Sequence, residues 1–179
     1  MGSLGAALGT MVANLSSHKP GWDERWEEFS QWAEKGQKIK DDLLWLVDED
    51  THSFNLIMEA FGMPKGNDAE KAARKQAIQD ATKYAIEVPY KTIQRSFDVF
   101  EICAAMIEKG NPNSVTDAGV GVLCARAAVM GAYLNVKINA SSLEDKAFAE
   151  EMVSKAQAYV VKAKELETAL MAKVEEVIG

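Results

Sequence analysis

The sequence predicts an all-α fold, and three observations carry that prediction. Apolar residues recur at alternating steps of three and four from one end of the chain to the other, the spacing of one helix face. No stretch alternates apolar and polar residues with the period of two that a half-buried strand requires. Only four prolines occur, and three of them stand in turn-like settings, "SSHKPGW", "FGMPKGN" and "KGNPNS", between long helical patterns. At 179 residues the chain has the length of one domain and can bury a full core without disulfides or metal. No repeat, low-complexity run or linker divides it, so residues 1–179 are read as one multihelical bundle.

The elements follow in order. The opening "MGSLGAALGTMVANLSSHK" reads as a packed helix in which Gly5 and Gly9, four apart among alanines, let a neighbour approach closely. The chain begins immediately before it with no cap or turn signal, which suggests a first helix cut short or belonging to a longer parent. After Pro20 and Gly21, the positions Trp22, Trp26, Phe29, Ala33, Gly36, Leu43 and Val47 keep the three-four rhythm, with Lys40 as a polar interruption. They form one long helix or two broken near Gly36. Asn67 and Glu70 make a capping pair for a helix through Ala73, Ala77, Ala81, Tyr84 and Ala85, which Pro89 should kink or restart. Ile93, Phe97, Phe100, Ala104 and Ile107 continue it to Gly110, read as a left-handed stop. Ser114 with Asp117 caps the next helix, whose small stripe Ala118, Val122, Ala125, Val129 and Ala132 implies a central position. Ser142 and Asp145 form a further capping pair ahead of a terminal helix through Phe148, Met152, Ala156, Tyr159, Ala163, Leu166, Leu170 and Val177.

Composition excludes several functions. A net charge of −7 and a pI near 5.0 argue against nucleic acid or an anionic membrane as partner, since phosphate surfaces need a clustered excess of Lys and Arg. The uncharged N-terminal run is too short to span a bilayer and lacks the positive lead of a signal peptide. Cys103 and Cys124 lie in apolar helical patterns, as inert thiols do in a reducing cytoplasm.

One residue breaks the pattern. In "LLWLVDEDTHSFNLI" the apolar seam Leu43, Val47, Phe54, Ile57 and Phe61 has Asp50 on it. An acid there is either paired or reaching solvent at the edge of the bundle, or it is a carboxyl whose desolvation by Val47, Phe54 and Ile57 raises its pKa and prepares it for general acid–base work. "EDTH" places Glu49 and His52 at the Glu-x-x-His spacing of di-iron bundles, but a second such pair is missing, so no metal site is expected. Asn135 and Asn139, four apart on one face, suit either a ligand with adjacent donors and acceptors or the ordinary work of helix termination and inter-helix bonding. The "KGNPNSVTD" turn is explained by capping alone, though a helix N-terminus there could also wall a site.

Taken in order, "GAALGTMVANLS", "LVDEDTHSF", "VPYK", "GNPNSVTDAGVGVL" and "GAYLNVKINASSLED" resemble the formimidoyltetrahydrofolate cyclodeaminase and methenyltetrahydrofolate cyclohydrolase family over nearly the whole chain. The similarity is strongest to the cyclodeaminase domain of bifunctional formimidoyltransferase-cyclodeaminases. The resemblance implies a helical bundle that forms an interlocked homodimer or higher even oligomer with folate sites near the interface, and no cofactor beyond the tetrahydrofolate substrate. It implies a cytoplasmic enzyme of one-carbon metabolism and histidine degradation that turns 5-formimidoyltetrahydrofolate into 5,10-methenyltetrahydrofolate and ammonia, with a transferase domain possible in the parent chain. By the same matching, Asp50 is the catalytic acid of a "VDxD" motif, Asp117 the acid of an "SD" motif whose serine is here Thr116, and Asn135 and Asn139 belong to "NVxIN". Ser114 and Lys137 are further candidates for substrate contact, with Lys91 and Arg126 as possible partners of the folate glutamate. The family's "PGGGS" turn and the helix that follows would precede this chain. Two other readings stay open: methenyltetrahydrofolate cyclohydrolase, and an inactive, truncated helical dimerisation module supported by the stripe Trp22, Trp26, Phe29 and Trp32.

Overall fold

A computed structural model describes residues 1–179 as five α-helices without a strand. They are α1 (Gly2–Ser17), α2 (Trp26–Gly62), α3 (Asp68–Lys109), α4 (Val115–Ser141) and α5 (Lys146–Ile178), with short 3-10 turns at Asp23–Arg25 and Pro112–Ser114. α3 packs against each of the other four, and α4 against α1, α3 and α5. The small stripe Ala118, Val122, Ala125, Val129 and Ala132 is buried throughout, as a central helix requires. By length and composition α4 could also cross a membrane, but its buried face is core against three helices.

Close approach is achieved where glycines meet. A Cβ on Gly5 would stand 2.8 Å from the Gly121 carbonyl oxygen, and one on Gly121 would stand 2.7 Å from Cys103 Sγ, so α1 and α4 cross over α3 at a distance only glycine permits. Burial pushes the Cys103 thiol up to about 12, and both cysteines are unpaired and buried.

Several element boundaries settle or correct the sequence reading. α2 runs unbroken through Gly36, and α3 runs unbroken through Pro89. Asn67 does cap α3, its Oδ1 accepting from the Glu70 N–H at 3.0 Å. Gly110 is not a left-handed stop: its φ of −73° and ψ of −178° are open to any residue. What constrains it is space, for a Cβ there would meet the Met106 carbonyl oxygen at 2.5 Å. Ser114 makes no capping bond, because the Pro112–Ser114 turn feeds directly into α4 and Asn111 Oδ1 accepts from the Asn113 N–H instead. α5 is capped by Asp145 alone, which accepts from the Phe148 N–H at 3.2 Å, while the Ser142 hydroxyl donates to the Asn139 carbonyl.

The seam of α2 also shifts. Phe29, Ala33, Gly36 and Leu43 are buried as expected, but the next steps are Leu46, Ser53 and Ala60, while Val47 and Phe54 are 63% and 59% exposed. A step of three after Leu43, where four was expected, rotates the buried line. Asp50 lies on it under either register.

Candidate functional site

The buried line of α2 continues past Leu46 into a cleft of about 340 Å³, in which Asp50 and Thr51 from α2 face Pro89, Thr92 and Ser96 from α3 and Asn135 from α4. The first turn of α1, Met1 to Ser3, closes one end. These residues meet because a step of three or four along each helix returns to the same face: Pro89, Thr92 and Ser96 form one such row on α3. Of Val47, Phe54 and Ile57, expected to desolvate Asp50, only Val47 lines the cleft with it. Val47 and Phe54 are largely exposed, and Asp50 is itself exposed in the cleft. Its carboxylate has neither an ion-pair partner nor a hydrogen-bond donor among the protein's groups, so it is free to meet a ligand.

The two amides of α4 have different tasks. Asn135 is exposed on the cleft wall and donates through Nδ2 to the Gly131 carbonyl of its own helix at 3.2 Å. Asn139 lies one turn on and is half-buried, with Nδ2 donating to the Ala85 carbonyl of α3 at 2.7 Å. Of the remaining candidates, Lys137 is exposed and leans over the Tyr133 ring outside the cleft lining. Ser114 and Asp117 sit at the far end of α4, about 32 Å and about 27 Å from Asn135 by helical rise, so one chain does not bring them to Asp50. Lys91 lines another groove with Trp45 and Arg95, and Arg126 pairs with Glu167 of α5 at 3.3 Å.

Glu49 and His52 face away from Asp50. Glu49 accepts a hydrogen bond from the Tyr84 hydroxyl, which together with burial pushes that phenol up to about 12, and His52 packs edge-on to the same ring. No third His, Cys, Asp or Glu gathers with them.

Sequence reasoning missed Pro89, Thr92 and Ser96. Pro89 carried a signal, but as a helix breaker and not as a wall. Ser96 is fully buried beneath Gly2 with no protein partner for its hydroxyl, a placement that no single-helix pattern reveals.

Comparison with known proteins relates the chain as a whole to others. The family profile described as formiminotransferase-cyclodeaminase matches residues 1–158. A methenyltetrahydrofolate cyclohydrolase of Methylorubrum extorquens is 39% identical over 162 residues, covering 90% of this chain and 78% of that protein. A formimidoyltransferase-cyclodeaminase of Gallus gallus is 33% identical over 149 residues, 83% of this chain but only 28% of the chicken protein. The crystal structure of a formiminotetrahydrofolate cyclodeaminase from Thermotoga maritima superposes with a TM-score of 0.85 over 99% of this chain and 85% of that one, at 22% identity, which establishes the shared fold.

Proposed function

Since the chain belongs to the formiminotransferase-cyclodeaminase family, we propose that it is a folate enzyme acting at the carbon between N5 and N10, and specifically a formimidoyltetrahydrofolate cyclodeaminase. The observation that carries this reading is the unpartnered Asp50 carboxylate in a cleft that it lines together with Asn135, between α1, α2, α3 and α4.

The chemistry suits one mobile proton. N10 attacks the amidinium carbon of 5-formimidoyltetrahydrofolate, the C–N10 bond forms, and the tetrahedral carbon then releases its exocyclic nitrogen as ammonia to leave 5,10-methenyltetrahydrofolate. Asp50 accepts the proton from N10 and returns it to the departing nitrogen, so charge and protons balance with no other reactant. The cleft's remaining task is to hold N10 against the carbon, since ring closure is already intramolecular. The carboxylate's exposure suits a group that must accept a proton and then give it away.

A second reading is favoured by the 39% identity to a protein named methenyltetrahydrofolate cyclohydrolase. There Asp50 activates water, which adds to the methenyl carbon, and the C–N5 bond opens to give 10-formyltetrahydrofolate. We further assign the chain to a homodimer or higher even oligomer, with the exposed apolar Phe54, Met58 and Phe61 of α2 as a self-association face. We place it in the cytoplasm and in histidine degradation, with a transferase domain able to supply its substrate.

The deciding experiment mixes the chain with 5-formimidoyltetrahydrofolate and follows ammonia together with methenyltetrahydrofolate absorbance, with Asp50→Asn alongside. Ammonia release that the substitution abolishes is the expected result. Hydrolysis of methenyltetrahydrofolate without ammonia release from the formimidoyl compound would move the assignment to cyclohydrolase. A folded protein that does neither would leave a helical association module.

A further inference from the structure

Pro89 sits inside α3, and a proline has no N–H to give the carbonyl four residues before it. That carbonyl belongs to Ala85, a buried residue, and an unmet carbonyl in such a place is costly. The donor comes from another helix: Asn139 Nδ2 of α4 meets the Ala85 oxygen at 2.7 Å. The repair therefore depends on α4 standing in one register and at one distance from α3.

Each end of this bond lies one helical turn from a residue of the candidate site. Pro89, whose ring creates the gap, lines the Asp50 cleft. Asn135, one turn before Asn139 on the same face of α4, lines it from the opposite wall. Asn139 itself is not among the lining residues.

We propose that Asn139 is a positioning residue: it supplies the hydrogen bond that Pro89 removes from α3 and thereby fixes Asn135 across the cleft from Asp50. The side chain must carry a donor at this length. Aspartate would set a carboxylate oxygen against a carbonyl oxygen, and alanine would leave the carbonyl bare. Either change frees the last two turns of α4 to shift, and a displacement of about 1 Å at a reacting site can lower the rate by orders of magnitude.

The assay for this inference rests on the folate reading, and it uses the full chain well below its unfolding temperature. We expect Asn139→Ala to lower kcat/KM about tenfold or more in protein that remains folded. The same substitution in the Pro89→Ala background should cost much less, because an alanine N–H returns the intrahelical bond to Ala85. In the Asn135→Ala background the Asn139→Ala loss should largely vanish, as it must if Asn139 acts through Asn135. Unchanged kcat and KM with only a lower Tm, or losses at Asn135 and Asn139 that multiply independently, would overturn the proposal. Should the parent chain turn over neither folate, the folate reading fails by itself, and amide hydrogen exchange decides the positioning claim. Exchange near Ala85 and Asn135 should quicken in Asn139→Ala and slow again with Pro89→Ala, and no change there would refute it.

Discussion

The crossing of α1 with α4 and the second half of α2 treat their surroundings in opposite ways. At the crossing, Gly5, Gly121 and Cys103 leave no room for one added carbon, and every neighbour is part of this chain. Along the second half of α2, Phe54, Met58 and Phe61 are exposed and Asp50 opens into a cleft without a partner. The first region is fully determined by its own packing. The second leaves side chains without a partner in this chain, and this is where a carboxylate stays available to solvent.

The contrast is sharpest at Asp50. Asp50→Asn should cut turnover by roughly a hundredfold or more, the usual contribution of a positioned acid or base, while leaving the unfolding midpoint near the parent's. Steady-state kinetics beside thermal unfolding would read both quantities, and a large stability change would show that Asp50 belongs to the packed region after all.

Next in size is a pair of truncations on neighbouring faces of α2. Leu46→Ala should cost about 2–5 kcal/mol in urea unfolding because Leu46 is core, whereas Phe54→Ala should change the stability of the isolated chain by less than about 0.5 kcal/mol. An equal loss at both would mean that a second chain covers Phe54.

Gly121→Val tests the other side of the comparison. Its Cβ falls within 2.7 Å of Cys103 Sγ, and overpacking of this kind costs about 1–3 kcal/mol. Turnover per folded molecule should fall far less than in Asp50→Asn, since Gly121 lies about 21 Å by helical rise from Asn135 of the cleft.

The smallest effect lies at the surface. The Lys83 ammonium, 2.7 Å from Asp145, holds that carboxyl below the usual carboxylate range, and Lys173 does the same for Glu108. A folded-state pKa that is lowered contributes stability above the ordinary carboxylate range near pH 4, and this is lost as pH falls through the folded value. Lys83→Met should therefore be slightly less stable than the parent near neutrality, and the difference should disappear as pH falls through the carboxylate range, which urea unfolding at about pH 7 and about pH 3 would read.

Much of the fold could be read in the sequence because helical spacing is a local property. The stripes of α4 and most of α5 stand as expected, with Val177 at the end of α5 exposed. The line on α2 slipped by one residue after Leu43 because Leu46 and Val47 are equally apolar, and only neighbouring helices decide between them. Ser114 failed as a cap because a 3-10 turn precedes it, a choice of backbone that residue type does not reveal. For the site, Asp50 was legible as a charge on an apolar line in either register. Asn139 was not, because its partner is a carbonyl freed by a proline on a different helix. Asp117 lies at the wrong end of α4 to join Asp50 within one chain, a fact of length and not of motif.

The 42 residues of α3 give the molecule a shape as well as a core. A straight helix of that length extends about 63 Å, well beyond the roughly 40 Å diameter of a sphere with the radius of gyration usual for 179 residues. A rod of given volume has more skin than a ball: the accessible surface is 9652 Å², against about 8,600 Å² for a typical monomer of 19.6 kDa. The surplus, about 1,100 Å², is comparable to the roughly 800 Å² that each side of a standard protein interface gives up. Elongation leaves the domain with about one interface's worth of extra surface.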